Sequence, residues 1–131
     1  MTALFQPGDE MRVEVRVTPD KLAKFGGQVV HPVYSTFALG QDAEWACRQF
    51  VLAMKDPGEE GVGSYLSVEH LAPALEGTQV TVTATLQSVI ENRVRCSWTA
   101  HSADGRLLAR GEQEQRIVNE QSFKALLQSL R

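Results

Sequence analysis

Hydrophobic and polar positions follow two different periods along this chain, and each change of period marks a predicted element. Arg12-Val13-Glu14-Val15-Arg16-Val17 alternates strictly, which predicts a strand with one buried face. Thr18-Pro19-Asp20 ends it. No period holds from Lys21 to Pro32, where Gly26, Gly27 and Pro32 predict a loop with one short helical turn at most. From Thr36 to Met54 the period becomes helical. Leu39, Ala43, Ala46, Cys47, Phe50 and Met54 recur at spacings of three and four. Asp42 and Glu44 place negative charge in the early part of this helix, which suits its N-terminus. Asp56-Pro57-Gly58 stops it.

Gly58 to Gly63 is rich in Gly and Glu and predicts a second loop, after which the period returns to two. Ser64, Leu66, Val68, His70 and Ala72 share one face of a predicted strand, broken by Pro73 and Gly77. Val80, Val82, Ala84, Leu86 and Ile90 share the inner face of the clearest strand, with threonines opposite. Val94, Cys96, Trp98 and Ala100 alternate after a turn at Glu91-Asn92-Arg93. Asp104-Gly105 is a hairpin signal, and Leu107 to Val118 forms a further strand. Asn119 is an N-cap candidate for a short C-terminal helix, Glu120 to Leu130, with Phe123, Leu126, Leu127 and Leu130 on one side. A sheet with one apolar face needs a cover, and one long helix can supply it. Long strand edges are hazardous when left open, and pairing in a homodimer removes them. The expectation is an α+β hotdog fold: an antiparallel sheet wrapped around one central helix.

Composition narrows the function classes. At 131 residues the chain suits one domain, residues 1–131. Its 43% hydrophobic and 22% charged residues are those of an ordinary globular chain. A net charge of −3, a pI near 5.6 and the lack of any Lys/Arg run exclude a nucleic-acid binder, which carries a basic stripe. No apolar run approaches the ~20 residues of a membrane span. Met1 to Met11 lacks the basic and apolar regions of a secretory signal. Cys47 and Cys96 each fall within an apolar pattern and read as buried free thiols of a reducing compartment. A cytoplasmic location is expected.

Three polar residues stand out against the pattern: Thr36, Glu44 and His70. A hydroxyl, a carboxylate and an imidazole are the parts of an acyl-transfer site, and polar groups in a core are costly unless paired. His70 is in phase with Leu66 and Val68, so it points toward the helix, either as a satisfied core histidine or as an acid–base group. Glu44 is either half of a surface pair with Arg48 one turn on, or a carboxylate beside the apolar seam. Thr36 either caps the helix or sets a hydroxyl at its N-terminus, where backbone N–H groups and the dipole favour negative charge. Gly40 would allow close backbone approach there. Trp45 and Trp98 either line a ligand pocket or pack in the core, and the core is the expected role. His31 and His101 are expected in solvent.

These residues resemble a known group. Val33-Tyr34-Ser35-Thr36, Glu44-Trp45-Ala46-Cys47 and Gly63-Ser64-Tyr65-Leu66-Ser67-Val68-Glu69-His70 are similar to segments of the fluoroacetyl-CoA thioesterase branch of the hotdog thioesterases. So are Val80 to Ala84 and Trp98 to His101, and the resemblance runs from Arg12 to Phe123. The spacings of Thr36, Glu44 and His70 match the family's catalytic Thr, Glu and His without a gap. The resemblance implies that Thr36 hydrogen-bonds the carboxylate or thioester, that Glu44 is the nucleophile or the base, and that His70 acts in acid–base steps. Gly63 matches a glycine near the family's active site. Gly40 and Tyr34, at the helix entrance, join it as substrate-binding candidates. The implied activity is hydrolysis of an acyl-CoA thioester on a homodimer, with assembly to a tetramer left open and neither metal nor organic cofactor required. The stretch Lys24 to Tyr34 is shorter than in the fluoroacetyl enzyme, with Phe25 and Tyr34 as its only aromatics, so a short-chain or aryl acyl-CoA is the expected substrate. A non-catalytic acyl-CoA-binding module is the alternative. The Asp/His pair typical of hotdog hydratases is not found.

Overall fold

A computed structural model describes residues 1–131. Five long strands lie in the order β1-β6-β7-β8-β4, all pairs antiparallel: β1 Glu10–Arg16, β6 Gln79–Ile90, β7 Arg93–Ser102, β8 Leu107–Asn119 and β4 Glu59–Leu66. A two-residue strand, β5 Glu69–His70, continues along β8 beyond β4. The long helix α1, Thr36–Met54, crosses the inner face of this sheet, and α2, Glu120–Ser129, follows β8. The α+β expectation holds in order and in class.

The core forms where the two periods meet. Ala43, Ala46, Cys47, Phe50 and Met54 of α1 are buried against Val80, Val82, Ala84 and Leu86 of β6 and Val94, Cys96 and Trp98 of β7. Each large side chain hidden there contributes ~1.5–3 kcal/mol. Cys47 and Cys96 are free and buried. Asn119 caps α2 by accepting from the Ser122 N–H at 2.9 Å.

Four expectations need correction. Lys21 to Pro32 is not a loop: β2 Leu22–Phe25 and β3 Gln28–Tyr34 form a separate hairpin. Gly26 and Gly27 hold φ of 60° and 80°, a conformation that side chains resist and two-residue hairpin turns require. The short helical turn lies just before it, at Pro19–Lys21. Gly58 to Gly63 is not a loop either, because β4 begins at Glu59. An edge strand packed under a helix need not alternate.

The other two corrections come from bulges. Gly63 pairs with Gln115 and Tyr65 with Glu114, so Ser64 is an extra residue. The inward phase therefore moves from Gly61 and Gly63 to Leu66, Val68 and His70, and Ser64 instead donates to Glu114 at 2.8 Å. In β6, Leu86 pairs with Cys96 and Ser88 with Arg95, so Gln87 is extra. That bulge turns Val89 inward and leaves Ile90 exposed.

Candidate active site

The site is built along one face of α1. Thr36, Gly40, Glu44 and Val51 follow one another at helical spacing, and the chain from β5 back to β4 runs antiparallel beneath them. Thr36 meets His70. Gly40 lies over Leu66 and Val68, where an added Cβ would come within 3.0 Å and 3.6 Å of their side chains. Glu44 lies over Gly63, and Val51 over Gly61.

Ser35, not Thr36, caps the helix, accepting from the Ala38 N–H at 3.0 Å. That leaves the Thr36 hydroxyl free, and it lies 3.0 Å from His70 Nδ1. Backbone pairing of His70 with Ala109 fixes the strand that carries the imidazole. Ser35 takes the Ala38 N–H, but the N–H groups of Thr36 and Phe37 have no intrahelical acceptor, so the same end of the helix offers donors and a positive dipole.

Glu44 is not paired with Arg48. The Arg48 guanidinium turns away to Glu60 at 2.8 Å and to the Gly61 carbonyl at 3.1 Å. Glu44 Oε1 instead accepts from the buried amide of Gln113 at 3.0 Å. The same oxygen occupies the space that a side chain at Gly63 would need. Glu44 also opens on a surface recess of about 310 Å3 shared with Gln41, Asp42, Trp45 and Arg48. Trp45 is 49% exposed there, contrary to the expectation of a core role, because its position falls outside the buried face of α1. Trp98 is in the core as expected.

Tyr34 is buried, and its phenol donates to Asp42. Burial, followed by the hydrogen bond to Asp42, pushes the phenol far above its ordinary range, so it remains a donor. Asp42 also accepts from Lys21 at 2.9 Å. Its charge therefore ties the hairpin base to α1 and does not serve the first helical turn. The Cys47 thiol is pushed far up, first by the neighbouring Cys96 thiol and then by burial. It is no thiolate nucleophile.

The largest cavity, about 680 Å3, adjoins Thr36. The hairpin supplies Leu22, Ala23, Lys24, Phe25 and His31 to its wall, and the helix entrance adds Ser35, Thr36 and Phe37. Thr36 and His70 thus meet at one end of α1, Gly40 lies one turn on over Leu66 and Val68, and Glu44 and Gly63 lie a further turn along. Eight residues of helix separate Thr36 from Glu44, a rise of about 12 Å. Sequence reading missed Gln113. The available signal was a pair of glutamines, Gln113 and Gln115, at inward positions of an alternating strand.

An antiparallel sheet curled around one helix, with hydroxyl, imidazole and carboxylate along the helix side that faces the edge strand, defines an α+β hotdog protein. A solved hot-dog-like protein from Thermanaerovibrio acidaminovorans superimposes with a TM-score of 0.87 at 26% identity, covering 95% of this chain and 92% of that one. A Thermus thermophilus hypothetical protein of the thioesterase superfamily matches with a TM-score of 0.91 at 36% identity, over 95% of this chain and 92% of its own. The model of the FlK family, fluoroacetyl-CoA-specific thioesterase, matches residues 17–121, and the chain belongs to that family. The fluoroacetyl-CoA thioesterase of Streptantibioticus cattleyicolor is 37% identical over 83 residues, 63% of this chain. That match spans 58% of the relative's length, little more than half.

Proposed function

We propose that the protein is an acyl-CoA thioesterase that hydrolyses a short-chain or aryl acyl-CoA to the free acid and CoA. The observation that carries this reading is the meeting of Thr36 and His70 at the N-terminus of α1, in a chain of the fluoroacetyl-CoA thioesterase family. Thioester hydrolysis needs a nucleophile or base and a donor for the developing oxyanion. Glu44 supplies the first, attacking the thioester carbonyl or activating water. The N-terminal N–H groups of α1 and the Thr36 hydroxyl supply the second. His70 delivers the proton to the departing thiolate. Water is the second substrate, and no cofactor is called for. A cavity of about 680 Å3 beside Thr36 is far roomier than an acetyl group needs, which supports a larger acyl chain.

The catalytic unit in this reading is a homodimer. Thr36 and Glu44, about 12 Å apart along one helix, are too distant to act on one carbonyl from the same copy. Two copies related by a twofold axis, with their α1 helices antiparallel, would set Thr36 and His70 of one beside Glu44 of the other. Phe37, 84% exposed, together with Trp45, Leu52 and Leu66, gives α1 and the β4 edge an apolar surface suited to that contact. The free buried thiols suit a cytoplasmic setting.

The test is thiol release from acetyl-CoA, butyryl-CoA and benzoyl-CoA, read with a chromogenic thiol reagent. Glu44→Ala and His70→Ala are each expected to lower kcat by ~10²-fold or more. Wild-type turnover by both would overturn the assignment. Binding of acyl-CoA without thiol release would favour a non-catalytic module.

A further inference from the structure

Behind Glu44 lies a chain of side-chain amides that the reaction described above does not use. Gln113 and Gln115 stand on the inner face of β8, each 1% exposed. Buried amides destabilise a core unless their polar atoms are paired. Here they are paired in a single direction. Arg48 Nη1 donates to Gln115 Oε1 at 3.5 Å, Gln115 Nε2 donates to Gln113 Oε1 at 3.2 Å, and Gln113 Nε2 donates to Glu44 Oε1 at 3.0 Å. The second N–H of Gln113 goes to the Glu114 carbonyl at 3.2 Å. Gln115 makes a longer contact of 3.5 Å with the Glu44 carbonyl. A guanidinium at one end and a carboxylate at the other set the polarity. Turning the Gln113 amide over would face N–H against N–H and oxygen against carboxylate, so its orientation is fixed by both neighbours.

We propose that Gln113 is a positioning residue for the Glu44 carboxylate, with Gln115 as its support. The proposal rests on the role given to Glu44 above. A glutamate on a helix has three rotatable bonds, and Gly63 beneath it has no side chain to confine it. Gln113 is the one side-chain donor to that carboxylate. It holds Oε1 down against Gly63 and leaves Oε2 without a protein partner, as the oxygen turned to thioester or water. A displacement of about 1 Å at such a group can cost ~10²-fold in rate.

Gln113→Met keeps the length and removes the donor. On whichever of acetyl-, butyryl- and benzoyl-CoA turns over fastest, kcat is expected to fall ~10- to 100-fold with KM within about threefold, since substrate contacts stay in place. Combined with Glu44→Ala it should lower the residual rate no further, because both changes act through one carboxylate. A folded Gln113→Met protein with wild-type kcat overturns the proposal. So does a further loss in the double variant equal to the loss in the single one. Should Gln113→Met not fold, Gln115→Met leaves the donor in place but frees its amide. A severalfold fall in kcat at unchanged KM then supports the proposal, and wild-type kcat overturns it. Wild-type turnover by Glu44→Ala would strike down the role of Glu44 itself. An inactive Glu44→Ala beside a fully active Gln113→Met would strike down only the role of Gln113.

Discussion

Gly63 is where a missing side chain matters most. Glu44 Oε1 sits in the place of its Cβ, so Gly63→Ala must push the carboxylate off the strand. The expected result is a fall in kcat of ~10²-fold with little change in melting temperature. A Gly63→Ala protein with full activity would sever Glu44 from this strand. Thr36 separates two roles in the same way: because Ser35 caps the helix, Thr36→Ser should keep most activity and Thr36→Ala should lose it, with melting temperatures alike. Tyr34 is a stability residue in this geometry. Tyr34→Phe takes one donor from the buried Asp42 carboxylate and should cost about 1–3 kcal/mol in chemical denaturation. Lys21→Met should cost more, because it leaves that carboxylate without its cation. His70 was legible in the sequence because a strand has only two faces. Tyr34 was seen as a residue at the helix entrance, but its bond to Asp42 was not, since the two are eight positions apart and on different elements.

At the scale of elements, α1 and β7 were legible because each buries one regular stripe. The errors fall where regularity breaks. Ser64 and Gln87 each add one residue to a strand, and one residue is enough to exchange inner and outer faces. That is why Ile90 was misplaced. It is also why β4 looked like a loop: its inward positions before the bulge are Gly61 and Gly63, which carry no apolar signal. At Gly61 a Cβ would lie 2.5 Å from Val51, so glycine is what lets α1 lie down on this strand. The bulge is testable. Deleting Ser64 removes only the residue that faces no partner, so Leu66 still pairs with Gln113, His70 still meets Thr36, and the shortened protein should keep most of its activity. A Ser64 deletion that folds but has lost its activity would contradict the described register.

The whole molecule carries the prediction that separates one-copy from two-copy sites. In a homodimer whose sites each join Thr36 and His70 of one copy to Glu44 of the other, Glu44→Ala and His70→Ala chains complement each other. Their heterodimer holds one intact site and one doubly altered site. Mixed and reassembled in equal amounts, two inactive proteins should recover about a quarter of wild-type activity. No recovery from a mixture proven to exchange subunits would place all three residues in one copy. Leu66→Glu should weaken the dimer in sedimentation and lower activity with it. The sequence pointed to edge pairing because a long open strand is a hazard, but the span between Thr36 and Glu44 became an argument only once both lay on one continuous helix.

The hairpin of β2 and β3 is a two-stranded sheet of its own, joined to the rest through the buried Lys21–Asp42–Tyr34 contacts at its base. It walls the cavity but contributes none of Thr36, His70 or Glu44. If the proposed roles hold, selectivity and chemistry lie largely in separable stretches of chain. Exchange of residues 23–31 for another hairpin that keeps the Lys21 and Tyr34 anchors should change which acyl groups enter, while Thr36 and His70 stay in register. Such a molecule can acquire a new substrate without rebuilding its catalyst.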